Sequence, residues 1–165
     1  MPRVALFVTC VVDAFAPDAG VATVKLLRAA GRTVEVPDGQ TCCGQPAANA
    51  GFAADAARVA ATTLEALDGA LVAGAEAVVV PSGSCTTMIR RFWADLFRQV
   101  GDSERAERAL AVAAHTFELT EWLAGPAAGA LPALVHPPVD PRREPRPPDP
   151  AATGAWNGEP SRRKR

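Results

Sequence analysis

The amino-acid sequence predicts an α/β fold in which helices flank a parallel sheet in a three-layer arrangement. Three short segments rich in valine recur along the first 80 residues, and the first and third have the apolar composition of strands buried on both faces. Each run precedes a segment whose apolar residues are spaced by three or four positions, as on one face of a helix. This alternation is typical of a parallel sheet with right-handed crossovers, so all strands point the same way.

The first predicted strand is VALFVTC, residues 4–10, and the turn DAFAPDAG follows it. A helix is expected over residues 19–30, where apolar side chains form a stripe and Gly31 ends the helix. The second strand is TVEVP, residues 33–37, which a proline closes. The cysteine pair of the segment QTCCGQP comes directly after this strand.

The longest predicted helix covers residues 51–70, and the third buried strand lies in AEAVVVPSGSC, residues 75–85. Further helical segments are expected at about 103–114 and 116–124. The long helix has an apolar stripe of Phe52, Ala56, Val59, Ala60, Leu64, Leu67 and Leu71. The helix after the third strand presents one apolar face of Ile89, Phe92, Trp93, Leu96, Phe97 and Val100.

All four cysteines of the chain follow predicted strands. Cys10 ends the first strand, Cys42 and Cys43 lie just past the second, and Cys85 lies just past the third. Because open α/β folds bind ligands at the carboxyl ends of their parallel strands, we expect the four thiols to gather at that edge. The sequence therefore predicts a four-thiol site, although a small buried hydrophobic role is the alternative for each cysteine.

Four thiolates at one edge are suitable ligands for an iron–sulfur cluster. Neighbouring thiolates chelate one tetrahedral ion only with strain but reach different iron atoms, and the C-x-x-C spacing that zinc prefers is absent. Gly44 and Gly83 allow backbone to approach an inorganic core, and Ser84 is the expected N-cap of a helix that begins at Cys85. We predict an iron–sulfur cluster here, with zinc as the alternative metal.

Several polar residues lie beside the cysteines in the sequence. They could hydrogen-bond around the site, although Asp13 and Ser84 are equally suited to helix caps and Asn49 to a turn. His115 has no partner in its helical segment and is expected to serve packing or the surface. The residues considered for this surrounding shell are Asp13, Gln45, Asn49, Ser82 and Ser84.

Composition and charge exclude several classes of function. The net charge of −1 argues against a general nucleic-acid binder, and no apolar run approaches the roughly 20 residues of a membrane span. The amino terminus lacks the features of a signal peptide, because its basic region is one arginine and an aspartate interrupts its apolar run. A cytoplasmic location is expected, where cysteines serve metal or redox chemistry more often than disulfides.

The last part of the chain differs in composition from the rest. Residues 1–125 carry 10 Lys and Arg against 14 Asp and Glu, a net charge of −4, whereas residues 126–165 carry 7 against 4, net +3. The latter segment also holds 10 of the 15 prolines. We therefore expect a domain at 1–125 and a disordered or loosely extended tail at 126–165.

Three separated blocks resemble the cysteine-rich CCG-domain family, in particular its lactate utilization protein A branch: FVTCVVD, QTCCGQPAANAGF and VVVPSGSCTTMIRRF. The iron–sulfur component of glycolate oxidase and a component of heterodisulfide reductase are more distant relatives. The resemblance covers residues 1 to about 125. It implies an iron–sulfur component, with a cluster of 4Fe–4S type, of a cytoplasmic complex that oxidises L-lactate to pyruvate. Other subunits would be its partners, and the chain would not be catalytic alone. The family's cluster ligands fall on Cys10, Cys42, Cys43 and Cys85.

The sequence departs from the family pattern at two places. Met88 stands where the wider family has its last cysteine, and it is expected on the core side of its helix. Relatives repeat the motif in a second half, whereas this chain continues with ALPALVHPPVDPRREP. We expect either a shortened single-module protein or, preferably, a frameshift or premature stop, with His136 a relic of the second motif. A zinc or thiol redox module and a non-functional truncated fragment are the alternative readings of function.

Overall fold

A computed structural model describes residues 1–128, which form a four-stranded parallel sheet with helices on both faces. The predicted α/β class and parallel sheet are confirmed. Residues 129–165, which include most of the expected tail and His136, lie outside the described residues. The strands are β1 (Arg3–Leu6), β2 (Thr33–Glu35), β3 (Ala77–Val80) and β4 (Thr116–Glu118), and their order in the sheet is β2-β1-β3-β4.

Helices connect the strands, as the sequence predicts for the longer ones. They are α1 (Cys10–Phe15), α2 (Pro17–Ala29), α3 (Gln45–Asn49), α4 (Ala53–Val72), α5 (Gly83–Thr87), α6 (Trp93–Gln99), α7 (Ser103–Ala114) and α8 (Leu119–Ala124), and a π-helix at Met88–Phe92 joins α5 to α6. None of these helices is long and apolar enough to cross a membrane.

The core consists of two apolar layers, one on each face of the sheet. Ala5 and Val78 face α4, α6 and α7, whereas Val4 and Val79 face α2 and α8. Successive strand residues thus point to opposite faces, and both faces are covered. This explains why the strands read as continuous apolar runs in the sequence.

The strand order creates a switch point between β1 and β3. Strand β2 lies on one side of β1 in the sheet, and the chain then returns past β1 to form β3 on its other side. The connecting helices α2 and α4 accordingly lie on opposite faces of the sheet. In such folds a crevice opens beyond the carboxyl ends of the two strands that flank the switch point. Cys10 follows β1 and Cys85 follows β3, so these two cysteines flank the crevice.

Near the first cysteine the structure corrects the predicted boundaries. Strand β1 ends at Leu6, and Cys10 is the first residue of α1 instead of the last residue of a strand. Thr9 caps α1, because its hydroxyl accepts a hydrogen bond from Val12 N at 3.4 Å. The expected turn DAFAPDAG is mostly helical, since Pro17 fits the first turn of α2.

The segment predicted as a helix at 116–124 contains a fourth strand. Thr116–Glu118 pairs with β3 in parallel, and α8 begins only at Leu119. The unpaired edge of β3 provides hydrogen-bond partners that local propensity does not reveal. Glu118 then caps α8 in a capping box with Glu121, which fixes the point where the helix begins.

The helix after β3 does not present the regular apolar face that the spacing predicts. Trp93 is fully buried, but Phe92 is 52% exposed and Val100 is 39% exposed. The π-helix causes this difference, because it adds a residue to one turn and rotates the residues that follow. Phe52, expected in the stripe of α4, is likewise exposed, since it precedes the first turn of that helix.

Candidate metal centre

The four thiols lie past the strand ends as two close pairs. Cys10 Sγ is 3.5 Å from Cys42 Sγ, and Cys43 Sγ is 3.4 Å from Cys85 Sγ. All four thiols are free. The first pair is partly exposed, whereas Cys43 and Cys85 are 1% and 6% exposed. The adjacent cysteines are therefore divided between the two pairs.

The two pairs are neighbours but do not converge on one point. Within residues 1–128, no three His, Cys, Asp or Glu side chains are close enough together to hold a single metal ion. The charges nevertheless interact across the pairs, because Cys85 raises the pKa of Cys10 and Cys42 raises the pKa of Cys43. The thiols thus form an extended group at the sheet edge instead of one tetrahedron.

The two thiols of the buried pair, Cys43 and Cys85, differ in their pKa. Cys43 donates its thiol hydrogen to Cys85, and this bond, helped by the hydroxyls of Ser82 and Ser84, lowers the pKa of Cys85 to about 6 against the opposing effect of burial. The same hydrogen bond, followed by burial, raises the pKa of Cys43, although the N–H of Gln45 opposes the rise. Cys85 is therefore the thiolate of this pair and Cys43 the donor.

In the partly exposed pair, the pKa of Cys10 is raised. Burial, and next the hydrogen bond and charge of Cys42, raise the pKa of Cys10, while the backbone N–H of Val11 opposes them. A metal that binds this pair must displace the Cys10 proton.

Gln40 ties the loop that carries the cysteine pair to the end of β1. Its Oε1 accepts a hydrogen bond from Val8 N at 2.7 Å. Its Nε2 donates to the carbonyls of Leu6 at 3.1 Å and Pro37 at 2.9 Å. The loop is thereby held beside the residues that lead to Cys10.

Two buried side chains hold the carbonyls of the cysteine pair. The hydroxyl of Thr63 donates to Cys42 O at 3.0 Å and accepts from Thr41 N at 3.0 Å. The indole Nε1 of Trp93 donates to Cys43 O at 2.9 Å. Thr63 and Trp93 are both completely buried. Each carbonyl that the loop directs into the core is thus paired, as a buried polar group requires.

Gly44 allows the loop to rest directly on α4. Its φ is +83°, and a Cβ at this position would be 2.6 Å from the carbonyl oxygen of Ala56. Glycine is required here for both its conformation and its size. The close approach that Gly44 makes in this structure is to α4, and approach of the backbone to an inorganic core stays a prediction.

The other predicted polar residues occupy different places. Ser82, not Ser84, is the N-cap of α5, and the two hydroxyls are 3.3 Å apart beside Cys85. Asp13 is exposed in the first turn of α1, and the hydroxyl of Thr9 caps that helix instead. His115 precedes β4 at the opposite edge of the sheet, where its Nδ1 is 3.0 Å from Ala111 O.

A groove of about 260 Å³ lies beside the buried pair. Met88 contributes to it and is 3% exposed, in agreement with its predicted position on the core side. The groove is lined by Gln45, Ala48, Asn49, Met88, Phe92, Asp95, Leu96 and Gln99. Gln45 and Asn49, the first and last residues of α3, therefore face this groove.

Sequence reasoning missed three residues of the site, namely Gln40, Thr63 and Trp93. Gln40 precedes the cysteine pair by two positions, and its type could have indicated a loop anchor. Thr63 is a polar residue inside the buried stripe of an alanine-rich helix, which is a signal for a specific hydrogen bond. The spacing predicts that Trp93 lies in the core, and nothing local in the sequence indicates the acceptor of its N–H.

A sheet of this order with thiols gathered past its strand ends defines a cysteine-rich α/β domain. The cysteine-rich domain family CCG matches residues 4–90, and the chain belongs to this family. The resemblance of the three sequence blocks is thereby confirmed.

The curated relatives include several lactate utilization proteins. Lactate utilization protein A 2 of Bacillus cereus strain Q1 is 40% identical over 121 residues, which are 73% of this chain and 47% of the relative. Lactate utilization protein A of Geobacillus thermodenitrificans strain NG80-2 is 44% identical over the same lengths. The chain thus spans about half the length of these relatives. No solved structure matches the chain significantly.

Proposed function

We propose that this chain is an iron–sulfur electron-transfer component of a system that oxidises L-lactate to pyruvate. The observation that carries this proposal is the arrangement of four free thiols in two neighbouring pairs past the strand ends of the sheet. The relatives named lactate utilization protein A support the lactate part of the proposal.

The spacing of the thiols favours a cluster over a single zinc ion. Zinc in a four-thiolate site has Zn–S bonds of about 2.3 Å, so every sulfur lies about 3.8 Å from the other three. Each pair alone fits that separation at 3.4–3.5 Å, but within the described part of the chain no third ligand joins either pair. Two such pairs suit a core that contains several metal atoms, and thiolate ligands suit iron–sulfur clusters.

The residues of the chain have distinct roles in this proposal. Cys10, Cys42, Cys43 and Cys85 would hold the cluster, which accepts and releases electrons when bound. The low pKa of Cys85 provides a thiolate at neutral pH, and the other thiols lose their protons as metal binds. Cys10 and Cys42 are partly exposed, so the first pair is the side from which a partner exchanges electrons.

Partner subunits carry out the oxidation of lactate in this proposal. Conversion of lactate to pyruvate releases two electrons and two protons, and the substrate is an anion. The groove beside the buried pair is lined by amides, apolar side chains and one carboxylate, Asp95. Asp95 is paired with Arg98, and the residues that line the groove include no cation to bind the carboxylate of lactate, so the groove supports a carrier of electrons more than a lactate-binding site.

Metal analysis tests the proposal directly. Protein purified without oxygen is expected to be brown and to contain iron and acid-labile sulfide. Cys43→Ser should lose most of both, whereas Met88→Leu, which removes a buried sulfur three residues from Cys85, should keep them. Colourless wild-type protein with stoichiometric zinc would contradict the proposal.

Growth on lactate tests the cellular role. In a host that lacks its own lactate utilization protein A, the wild-type chain is expected to restore growth and the Cys43→Ser variant to fail at an unchanged protein level. Restored growth with both proteins would show that the function does not need the thiol of Cys43.

A thiol–disulfide module is a second candidate, which the short distances within the pairs favour. Closing each disulfide, Cys10–Cys42 and Cys43–Cys85, would transfer two electrons to an external disulfide such as oxidised glutathione, which takes up the two thiol protons. Mass spectrometry of metal-free protein in glutathione buffers should find these two bonds alone. Scrambled pairing would refute this candidate.

A further inference from the structure

We propose that Trp93 is a positioning residue of the thiol site, which fixes Cys43 by holding its carbonyl from the core side. The metal-binding part of this inference rests on the proposed function, but the thiol part does not. Trp93 is completely buried, and its Nε1 donates to Cys43 O at 2.9 Å. A buried indole N–H needs an acceptor, and here the acceptor is the backbone of a predicted ligand.

One helical stretch holds Cys43 at two points. The stretch consists of α5, the π-helix and α6, and it carries both Cys85 and Trp93. Cys85 Sγ contacts the thiol of Cys43 at 3.4 Å, and Trp93 binds the carbonyl of the same residue. The thiol and the backbone of Cys43 are thereby positioned by the element that also provides its sulfur partner.

The π-helix is what brings Trp93 to this place. In a regular α-helix, Phe92, seven positions after Cys85, would lie within about 20° of Cys85 around the helix axis, whereas Trp93, eight positions after it, would lie about 80° from Cys85. Phe92 would then face the cysteine loop. The wider turn at Met88–Phe92 moves the eighth position inward instead, so Trp93 is buried and Phe92 is 52% exposed. The π-helix therefore places Trp93, which has an N–H donor, against the cysteine loop in place of Phe92, which has none.

The thiol reactivity of metal-free protein tests this inference. Trp93→Phe keeps most of the ring that packs edge-on against Phe97 but removes the N–H. The rate of alkylation of Cys43 at alkaline pH, measured by mass spectrometry of peptides relative to Cys10 in the same molecules, is expected to rise about tenfold, as when a buried carbonyl loses its donor. Trp122→Phe is the matched control, because Trp122 is 1% exposed and packs on the other face of the sheet.

A second readout uses the iron-loaded protein. Trp93→Phe is expected to alter the visible spectrum and to lose iron to a chelator faster than Trp122→Phe does, at equal thermal midpoints. An alkylation ratio that is the same in both variants would overturn the positioning role. If wild-type protein takes up no iron, the proposed function fails while the alkylation ratio still decides the role of Trp93.

Hydrogen exchange in the wild type decides the matter if Trp93→Phe does not fold. The indole N–H of Trp93 should exchange slowly in the metal-free protein, and alkylation of Cys43 should accelerate its exchange without affecting Trp122. Equal exchange before and after alkylation would show that the indole and Cys43 are not linked.

Discussion

Gly44 is the position where a single methyl group should disturb the cysteine loop most. Substitution by alanine forces a side chain into a backbone with φ of +83° and places its Cβ 2.6 Å from the carbonyl oxygen of Ala56. Gly39, five residues earlier in the same loop, has φ of +85° and no heavy atom within 4 Å of its Cβ position. The two substitutions therefore share the conformational cost and differ in the steric contact.

The magnitudes follow from these two terms. The left-handed backbone costs an L-residue about 1–2 kcal/mol, which we expect for Gly39→Ala. The contact with α4 involves backbone on both sides, and such overpacking costs about 1–3 kcal/mol more. We expect Gly44→Ala to lower the free energy of unfolding by about 2–5 kcal/mol. An excess of about 2 kcal/mol over Gly39→Ala corresponds to a thermal midpoint lower by roughly 6–10 °C.

Urea denaturation of metal-free protein, followed by circular dichroism, measures both variants. Metal-free protein is needed because bound metal would add its own stabilisation. Equal stabilities of the two variants would show that the loop does not rest on α4 and would refute the reasoning. Gly44→Ala should also raise the rate of alkylation of Cys43, because moving the loop away from α4 exposes that thiol.

Two further predictions concern the hydrogen bonds of the site. In metal-free protein, the rate of alkylation of Cys85 by iodoacetamide should rise through about pH 6, well below the ordinary thiol pKa of 9.0, because the reactive thiolate exists above the pKa. Cys43, whose pKa is raised, should stay unreactive over the same pH range. A midpoint for Cys85 near the ordinary thiol pKa would contradict this prediction. Thr63→Val should lower the free energy of unfolding by about 1–3 kcal/mol, because Cys42 O loses a buried donor. Thr23→Val is its control, since that buried hydroxyl donates only within its own helix, to Ala19 O, and equal losses in the two variants would argue against a special role for Thr63.

Long elements with a clear period could be predicted from the sequence. The helix expected at about 103–114 is found at Ser103–Ala114, and the three valine-rich strands are found in the predicted order. Strand β4 escapes prediction because TFE lacks the valines that mark the other short strands, and helix α1 because its six residues show too little helical periodicity. Their existence depends on partners elsewhere in the fold, such as the free edge of β3.

The gathering of the thiols could be anticipated, but their pairing could not. Parallel strands bring Cys10, Cys42 and Cys85 to one edge whatever the details of packing. Which sulfur contacts which depends on the register of residues that are 32 and 42 positions apart in the chain. The contact between Trp93 and Cys43 depends in addition on a π-helix, and no local pattern in MIRRF reveals it.

The strand order gives a physical reason for two adjacent cysteines. Cys10 follows β1 and Cys85 follows β3, the two strands that flank the switch point, and each needs a partner from the loop after β2. Cys42 and Cys43 lie in the loop between β2 and α3, and their sulfurs contact different thiols, Cys10 on one side and Cys85 on the other. The carbonyls are then left facing the core, where Thr63 and Trp93 bind them. Two adjacent cysteines in one loop thus supply the partner of each flanking thiol, whichever metal or redox chemistry the pairs serve.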